Sequence, residues 1–150
     1  KVEDHCIIDG LTSSGNHDLE EKGILERFWK RFTELSFTFG HCIGHNIEGF
    51  DLPFLLRRSW LLGVKVSPTI KNGRYYHRSV VDTMKVWTDY AYNEMISLDK
   101  LARLLGVGRK PDYEATQFAE DWLSGDKDTA EFYLKNDLIV SHKCYERMYQ

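Results

Sequence analysis

Two carboxylates in this chain, Asp51 and Asp137, stand at positions where an acidic side chain can take part in chemistry. Asp51 ends the stretch Gly40-His-Cys-Ile-Gly-His-Asn-Ile-Glu-Gly-Phe-Asp51, which begins as an apolar run. The pattern predicts a buried strand at 37–43 and an amphipathic helix over 52–62, so Asp51 would lie at their junction. Rigid elements fix the direction of a carboxylate at such a junction, as a binding or catalytic site requires. The alternative interpretation is that Asp51 only caps the helix.

Asp137 lies in a long helical pattern near the end of the chain. One face of this predicted helix carries residues at three- and four-residue steps: Tyr133, Asp137, Val140, Cys144 and Met148. An ionised carboxylate in such an apolar stripe is strongly unfavourable unless it is paired or binds a metal ion. Asp137 would therefore bind a metal ion or a basic side chain, unless it lies at the solvent edge of the stripe.

The elements that position these residues alternate between strands and helices. The pattern predicts strands at 6–8, 37–43 and 79–84, and a hairpin over 64–79 around Asn72-Gly73. Predicted helices span 18–35, 52–62, 98–105, 114–123 and 128–148. Ser97 is expected to cap the third of these helices and Gly106 to end it. This alternation argues for an α/β layer architecture around one sheet. Asp82, which ends a predicted strand, is expected to have a structural or capping role.

Composition limits the class of protein. A chain of 150 residues with 42% hydrophobic and 29% charged residues fits one soluble globular domain. A net charge of −3 gives no general basic surface, which argues against non-specific coating of nucleic acid. Cys6, Cys42 and Cys144 form no Cys-x-x-Cys, so neither a zinc ribbon nor a disulfide framework is indicated. We expect a reducing compartment, cytoplasmic or otherwise intracellular, and no membrane insertion.

Two motifs in the sequence resemble the second and third motifs of the DEDD superfamily of 3′→5′ exonucleases, which includes the proofreading domains of DNA polymerases. They are Asn46-Ile-Glu-Gly-Phe50-Asp51 and Tyr133-Leu-Lys-Asn-Asp137. The tyrosine is typical of the DEDDy branch, since the sister branch has His at the position of Phe132. Three further segments are similar to exonuclease domains related to family B DNA polymerases: 50–58, 80–84 and 97–106.

This resemblance implies a ribonuclease-H-like fold, with a mixed sheet flanked by helices. It also implies a metal-dependent 3′→5′ exonuclease that acts on nucleic-acid 3′ ends, with DNA favoured over RNA, through two Mg²⁺ or Mn²⁺ ions. Two ions about 3.5–4 Å apart stabilise charge on both the attacking and the leaving oxygen. Carboxylates are the hard oxygen ligands that hold such ions.

By resemblance, each motif residue has an expected role. Asp137 would help to bind the ion that activates the attacking water, and Asp51 would serve the second ion. Tyr133 would orient the water, because a phenol with a pKa of about 10 is poorly suited to deprotonate it at neutral pH. Asn46 would hydrogen-bond to the terminal nucleotides and Phe50 would stack on them or wedge between them.

The first motif of the superfamily, Asp-x-Glu on an opening strand, is not found in its expected place. Asp18-Leu-Glu20 follows a polar segment that cannot form a buried strand, and Asp112-Tyr-Glu114 comes after the second motif. After Asp9, Leu11 stands where Glu is needed. We therefore expect residues 1–150 to form a single exonuclease-like domain that is N-terminally incomplete, with its first strands missing.

The missing motif keeps a second interpretation open. Two of four acidic ligands would be absent, so the chain could be a catalytically inactive nucleic-acid-binding or scaffold domain of the same fold. For the exonuclease, the expected ligand is a single-stranded or frayed nucleic-acid 3′ end. A polymerase or another replication or repair protein is an expected partner, and no membrane is involved.

Overall fold

A computed structural model describes residues 17–38, 40–70, 79–91, 94–110 and 115–150. In chain order the elements are α1 (His17–Phe37), β1 (Cys42–Gly44), α2 (Asp51–Leu61), β2 (Val80–Asp82), α3 (Thr83–Trp87), α4 (Leu98–Leu105), α5 (Ala115–Ser124) and α6 (Lys127–Met148). Helices predominate, and the presence of both element types agrees with the predicted α/β class.

The described residues fall into two compact units. The N-terminal unit contains the described residues up to Asp82, and the C-terminal unit begins at Thr83. Each unit has its own buried cluster of apolar side chains. The prediction that residues 1–150 form one exonuclease-like domain stays a prediction.

The sheet within the described residues consists of β1 and β2, which run parallel. Cys42 lies opposite Val80, and Gly44 lies opposite Asp82. Parallel neighbours need a long connection between them, and α2 lies within it. The ribonuclease-H-like mixed sheet stays a prediction, because the predicted strand at 6–8 and the Asn72-Gly73 turn lie outside the described residues.

Two predicted strand boundaries are wrong, and one predicted strand does not form. The strand predicted at 37–43 begins only at Cys42, because α1 continues through Phe37, whose side chain is 72% exposed. The strand predicted at 79–84 ends at Asp82, and the helical turn of α3 begins at the next residue. The first arm of the predicted hairpin, 66–70, forms no strand. Pro68 lacks an N–H for a strand ladder, and the hydroxyl of Ser67 hydrogen-bonds to that of Thr69 instead (2.8 Å).

The core of the N-terminal unit lies between α1, α2 and the strands. Its buried members are Leu25, Trp29, Phe32, Ile47, Leu52, Val64 and Val80. Trp29 Nε1 donates a hydrogen bond to Ser59 Oγ (2.7 Å), which gives the indole N–H a partner inside this core. The predicted apolar face of α2 is confirmed, since Leu52 and Ser59 are buried on it.

The core of the C-terminal unit forms where α4 packs against α6. Its buried members are Leu98, Leu101, Ala102, Val140 and Cys144. The predicted bounds of α4 are confirmed: Ser97 Oγ accepts from Lys100 N (3.3 Å), and Gly106 takes the left-handed conformation with φ 68°. α6 also packs against α3 and α5, so it is the central helix of this unit.

Two properties relate to the predicted cellular compartment: the disulfide state of the cysteines and the apolar content of the helices. Cys42 and Cys144 are not in disulfides, and Cys6 lies outside the described residues. Within the described part of the chain, no helix combines the length and the apolar content needed to cross a bilayer. A reducing intracellular compartment stays a prediction.

Candidate functional site

A compact loop between β1 and α2 presents Asn46, Phe50 and Asp51. The carbonyl oxygen of Asn46 accepts hydrogen bonds from the N–H groups of Gly49 (3.1 Å) and Phe50 (3.0 Å). Asn46 has φ 59°, in the left-handed region that Asn tolerates better than most residues. A side chain at Gly49 would overlap Asn46 Oδ1. The loop conformation therefore depends on the residue types of this motif as well as on its carboxylate.

Asp82 fixes this loop from the neighbouring strand. Its side chain is fully buried (0% exposed). The carboxylate accepts hydrogen bonds from the backbone N–H groups of Asn46 (2.9 Å) and Glu48 (3.1 Å). Hydrogen bonds to a charged acceptor are stronger than neutral ones, so Asp82 is a firm anchor. The structural role predicted for Asp82 is confirmed.

Asp51 is the first residue of α2, and its carboxyl group lies in a negatively charged environment. Phe50 occupies the N-cap position and Asp51 is the first residue of the helix, so Asp51 is not the N-cap residue. Burial raises the pKa of the Asp51 carboxyl, a hydrogen bond from its own backbone opposes this, and the charge of Asp82 adds to it. Burial also raises the pKa of the Cys42 thiol to about 11, and the charge of Asp51 contributes. A cation beside Asp51 would offset the cost of holding its carboxylate, charged, close to that of Asp82.

Tyr133 and Asp137 lie one turn apart on α6, and Lys110 bridges them. Lys110 Nζ is 2.8 Å from Asp137 Oδ2 and donates to the hydroxyl of Tyr133 at 2.9 Å. The same ammonium lies 4.9 Å from the centre of the Tyr133 ring. Burial by itself lowers the pKa of Lys110, but the hydrogen bonds to Asp137 and Tyr133 outweigh it and raise the pKa above its usual range. Lys110 is therefore a permanent cation at neutral pH.

The second oxygen of the Asp137 carboxylate has a different environment. Asp137 Oδ1 is buried and has no hydrogen-bond partner among the residues that the structure describes. A buried carboxylate oxygen without a partner is unfavourable and is a suitable ligand for a hard divalent cation. The sequence left three interpretations open: a metal ion, a basic partner, or a place at the solvent edge of the stripe. The basic partner is present, the side chain of Asp137 is 26% exposed, and a metal ligand at the second oxygen stays a prediction.

The structure brings the predicted site residues together in two groups. Asn46, Phe50 and Asp51 share the loop of the N-terminal unit, and Tyr133 and Asp137 share the α6 face of the C-terminal unit. In the described ranges, no three His, Cys, Asp or Glu side chains are clustered so that they could hold a metal ion. A single site built from Asp51, Tyr133 and Asp137 stays a prediction.

Lys110 is the site residue that sequence reasoning missed. It lies 23 residues before Tyr133 and 27 before Asp137, in a segment predicted only as a loop. Helical spacing carries no information about a contact between a loop and a distant helix. The apolar stripe around Asp137 predicted a cationic partner for this carboxylate, but it did not identify the residue that supplies the cation.

Comparison with known proteins assigns the chain to a family. No match was found among curated proteins, and none among solved structures. One family model matches residues 2–150, and it describes a predicted 3′-5′ exonuclease related to the exonuclease domain of PolB. The match covers both motif regions and nearly the whole sequence. The chain therefore belongs to the family of predicted 3′-5′ exonucleases related to the PolB exonuclease domain.

Proposed function

We propose that this protein is a metal-dependent 3′→5′ exonuclease of DEDDy type that hydrolyses phosphodiester bonds at nucleic-acid 3′ ends, with DNA preferred over RNA. The observation that carries the proposal is the arrangement around Asp137. One carboxylate oxygen is held by Lys110, the other is buried without a partner among the described residues, and Tyr133 stands one helical turn away. Family membership supplies the reaction class.

The side chains proposed for the site have the chemistry that a divalent cation takes. Asp51 and Asp137 offer hard oxygen ligands, and the unpartnered Oδ1 of Asp137 would gain a partner when a cation binds. Two bound Mg²⁺ or Mn²⁺ ions would stabilise charge on the attacking and leaving oxygens. Before metal binds, Lys110 neutralises part of the charge of Asp137.

Tyr133 and Phe50 have exposures that suit different tasks. Tyr133 is 7% exposed and its hydroxyl is held by Lys110, so it can orient a water molecule without moving. Phe50 is 67% exposed on the loop, so its ring is available to stack on a terminal base. Asn46, on the same loop, would hydrogen-bond to the terminal nucleotide.

An exonuclease assay on the full-length protein tests the proposal. A 5′-labelled single strand with Mg²⁺ or Mn²⁺ should give a ladder of shortened products. Asp51→Asn and Asp137→Asn should each abolish the ladder, whereas Asp128→Asn, which removes an exposed carboxylate from the same helix as Asp137, should leave it intact. A ladder that persists unchanged in both site variants would reject the site assignment. RNA and DNA strands compared in parallel decide the substrate.

The second candidate function is a catalytically inactive nucleic-acid-binding or scaffold domain. The ion pair between Lys110 and Asp137 favours it, because a cation already satisfies one oxygen of the predicted ligand. Calorimetric titration with Mn²⁺ separates the two functions. The exonuclease should bind Mn²⁺ and lose this binding in Asp137→Asn. A protein that binds a single strand but neither binds Mn²⁺ nor cleaves would be the inactive domain.

A further inference from the structure

The outward face of α2 carries an exposed stripe that begins at Phe50 of the proposed site and continues along the helix through residues that the site does not use. We call Phe50, Phe54, Arg57 and Leu61 the α2 stripe; they are spaced four, three and four residues apart. Phe50 is 67%, Phe54 53% and Leu61 74% exposed. The buried residues of this helix, Leu52 and Ser59, lie about half a turn away from the stripe. The stripe is therefore not part of the core, and its exposed side chains are available to a ligand.

The two arginines of α2 differ in their contacts. Arg58 forms two hydrogen bonds with the carboxylate of Glu21 on α1, from Nε (2.6 Å) and Nη2 (2.5 Å). Arg57 is exposed in the middle of the stripe and forms no hydrogen bond or ion pair within the part of the chain that the structure describes. Arg58 thus has a structural contact, while the guanidinium of Arg57 is available to an anion.

We propose that the α2 stripe binds the single-stranded segment that leads to the 3′ end, with a base stacked on Phe54 and a phosphate on Arg57. The inference rests on the proposed function, because it continues the path of the terminal nucleotides from Phe50 along the same helix. Aromatic rings that alternate with a basic side chain are the elements of single-strand recognition without sequence preference.

The distance between Phe50 and Phe54 along the helix axis favours binding of a single strand over binding of a duplex. Four residues of an α-helix advance by about 6 Å, which sets the separation of Phe50 and Phe54 along the axis. Neighbouring nucleotides in one strand of a duplex are only about 3.4 Å apart along the axis. Neighbouring bases that each contact one ring must therefore be unstacked from each other, which a single strand allows at little cost.

Binding measurements with a fluorescein-labelled oligothymidylate test the inference on the full-length protein, in EDTA so that cleavage does not interfere. Phe54→Ala should weaken binding by about 5- to 150-fold, the loss expected for one stacked base. The control is Trp60→Ala, which removes another exposed aromatic ring of α2 (60%) that lies off the stripe. It should leave the affinity within about twofold of wild type. Circular dichroism of each variant checks that it is folded.

Salt dependence tests the role of Arg57. Arg57→Gln should reduce the slope of log K against log salt by about 0.7, the value for one phosphate contact on a single strand. Arg31→Gln, on the exposed surface of α1, should not change the slope. Phe54→Ala should weaken the binding of a trinucleotide more than the binding of a mononucleotide. The reason is that the stripe contacts nucleotides beyond the terminal one.

The outcomes separate this inference from the proposed function. If wild type cleaves and Asp137→Asn does not, but Phe54→Ala and Arg57→Gln bind as wild type does, the exonuclease stands and the stripe assignment is overturned. If wild type binds without cleaving and both stripe variants weaken binding, the stripe is supported and the exonuclease fails. Loss of a copurifying protein in Phe54→Ala, with oligonucleotide binding unchanged, would assign the stripe to a protein partner and overturn the inference.

Discussion

Lys110 decides the electrostatic state of the Asp137 carboxylate. Both side chains are about three-quarters buried, with exposed fractions of 22% and 26%, and their charged atoms are 2.8 Å apart. The ion pair offsets the unfavourable burial of a charge, and it also holds the hydroxyl of Tyr133. A divalent cation at Asp137 would therefore meet a site in which one oxygen already has a partner.

Removing Lys110 should reveal the strength of this pair. Lys110→Met keeps an unbranched side chain but leaves the carboxylate of Asp137 without its cation, so we expect the free energy of unfolding to fall by about 1–3 kcal/mol. In the double variant with Asp137→Asn, part of this loss should disappear, because the charge that needs a partner is gone. Urea unfolding at pH 7 measures both. An equal loss with and without Asp137 would show that the pair adds nothing.

Asp82 acts on the candidate site through the backbone of a loop. Asp82→Ala should lower the free energy of unfolding by about 2–4 kcal/mol, because the N–H groups of Asn46 and Glu48 lose their acceptor. Asp82→Asn keeps one acceptor oxygen, so it should lower the free energy of unfolding by less than Asp82→Ala does. Hydrogen exchange at these two amides should be faster in both variants. Unchanged exchange at Asn46 and Glu48 would contradict the anchoring role, whatever happens to global stability.

At the scale of elements, the ion pair of Glu21 with Arg58 ties α1 to α2. The hydrogen bond from Arg58 lowers the pKa of Glu21, burial opposes it, and the positive charge of Arg58 adds to the lowering. A glutamate with a lowered folded pKa stabilises the fold above its unfolded pKa of about 4.3, and this stabilisation is lost as the pH falls through the folded value. The contact between these helices is therefore pH-dependent on the acidic side.

Glu21→Gln tests this helix contact. At pH 7 the variant should unfold at a lower urea concentration than wild type, because the charged pair is replaced by a neutral contact. The difference should shrink below about pH 4.3 and vanish once Glu21 is protonated in the folded protein. Glu26→Gln, an exposed change on α1, is the matched control and should show no such pH dependence. A difference that stays constant from pH 7 to pH 3 would show that the charge of Glu21 is irrelevant.

At the scale of the whole molecule, the proposed function requires Asp51 of the N-terminal unit and Asp137 of the C-terminal unit to serve the same pair of ions. Mn²⁺ is paramagnetic and broadens the NMR signals of nearby amides. We expect one titration to broaden signals around both residues, and Asp137→Asn to weaken both effects together. If Asp137→Asn removed the broadening only around α6, the two carboxylates would bind metal separately and the shared site would be rejected.

The sequence by itself determined the local features of this protein. Ser97 and Gly106 set the ends of α4 because capping depends on neighbours within one turn. The helical spacing of Tyr133 and Asp137, and the junction position of Asp51, followed from periodicity alone. The two motifs also carried the family assignment, which the match over residues 2–150 shows.

Tertiary structure decided which groups meet. Asp82 reaches the loop at Asn46 across 36 residues of chain, and Lys110 reaches Asp137 across 27. Phe37 became part of α1 and not of a strand, although its apolar side chain suited either element. Contacts of this kind depend on how whole elements pack, and a periodicity of two or 3.6 residues says nothing about them. That is why the positions of Asp51 and Asp137 on their helices could be predicted from sequence, while the residues that contact them could not.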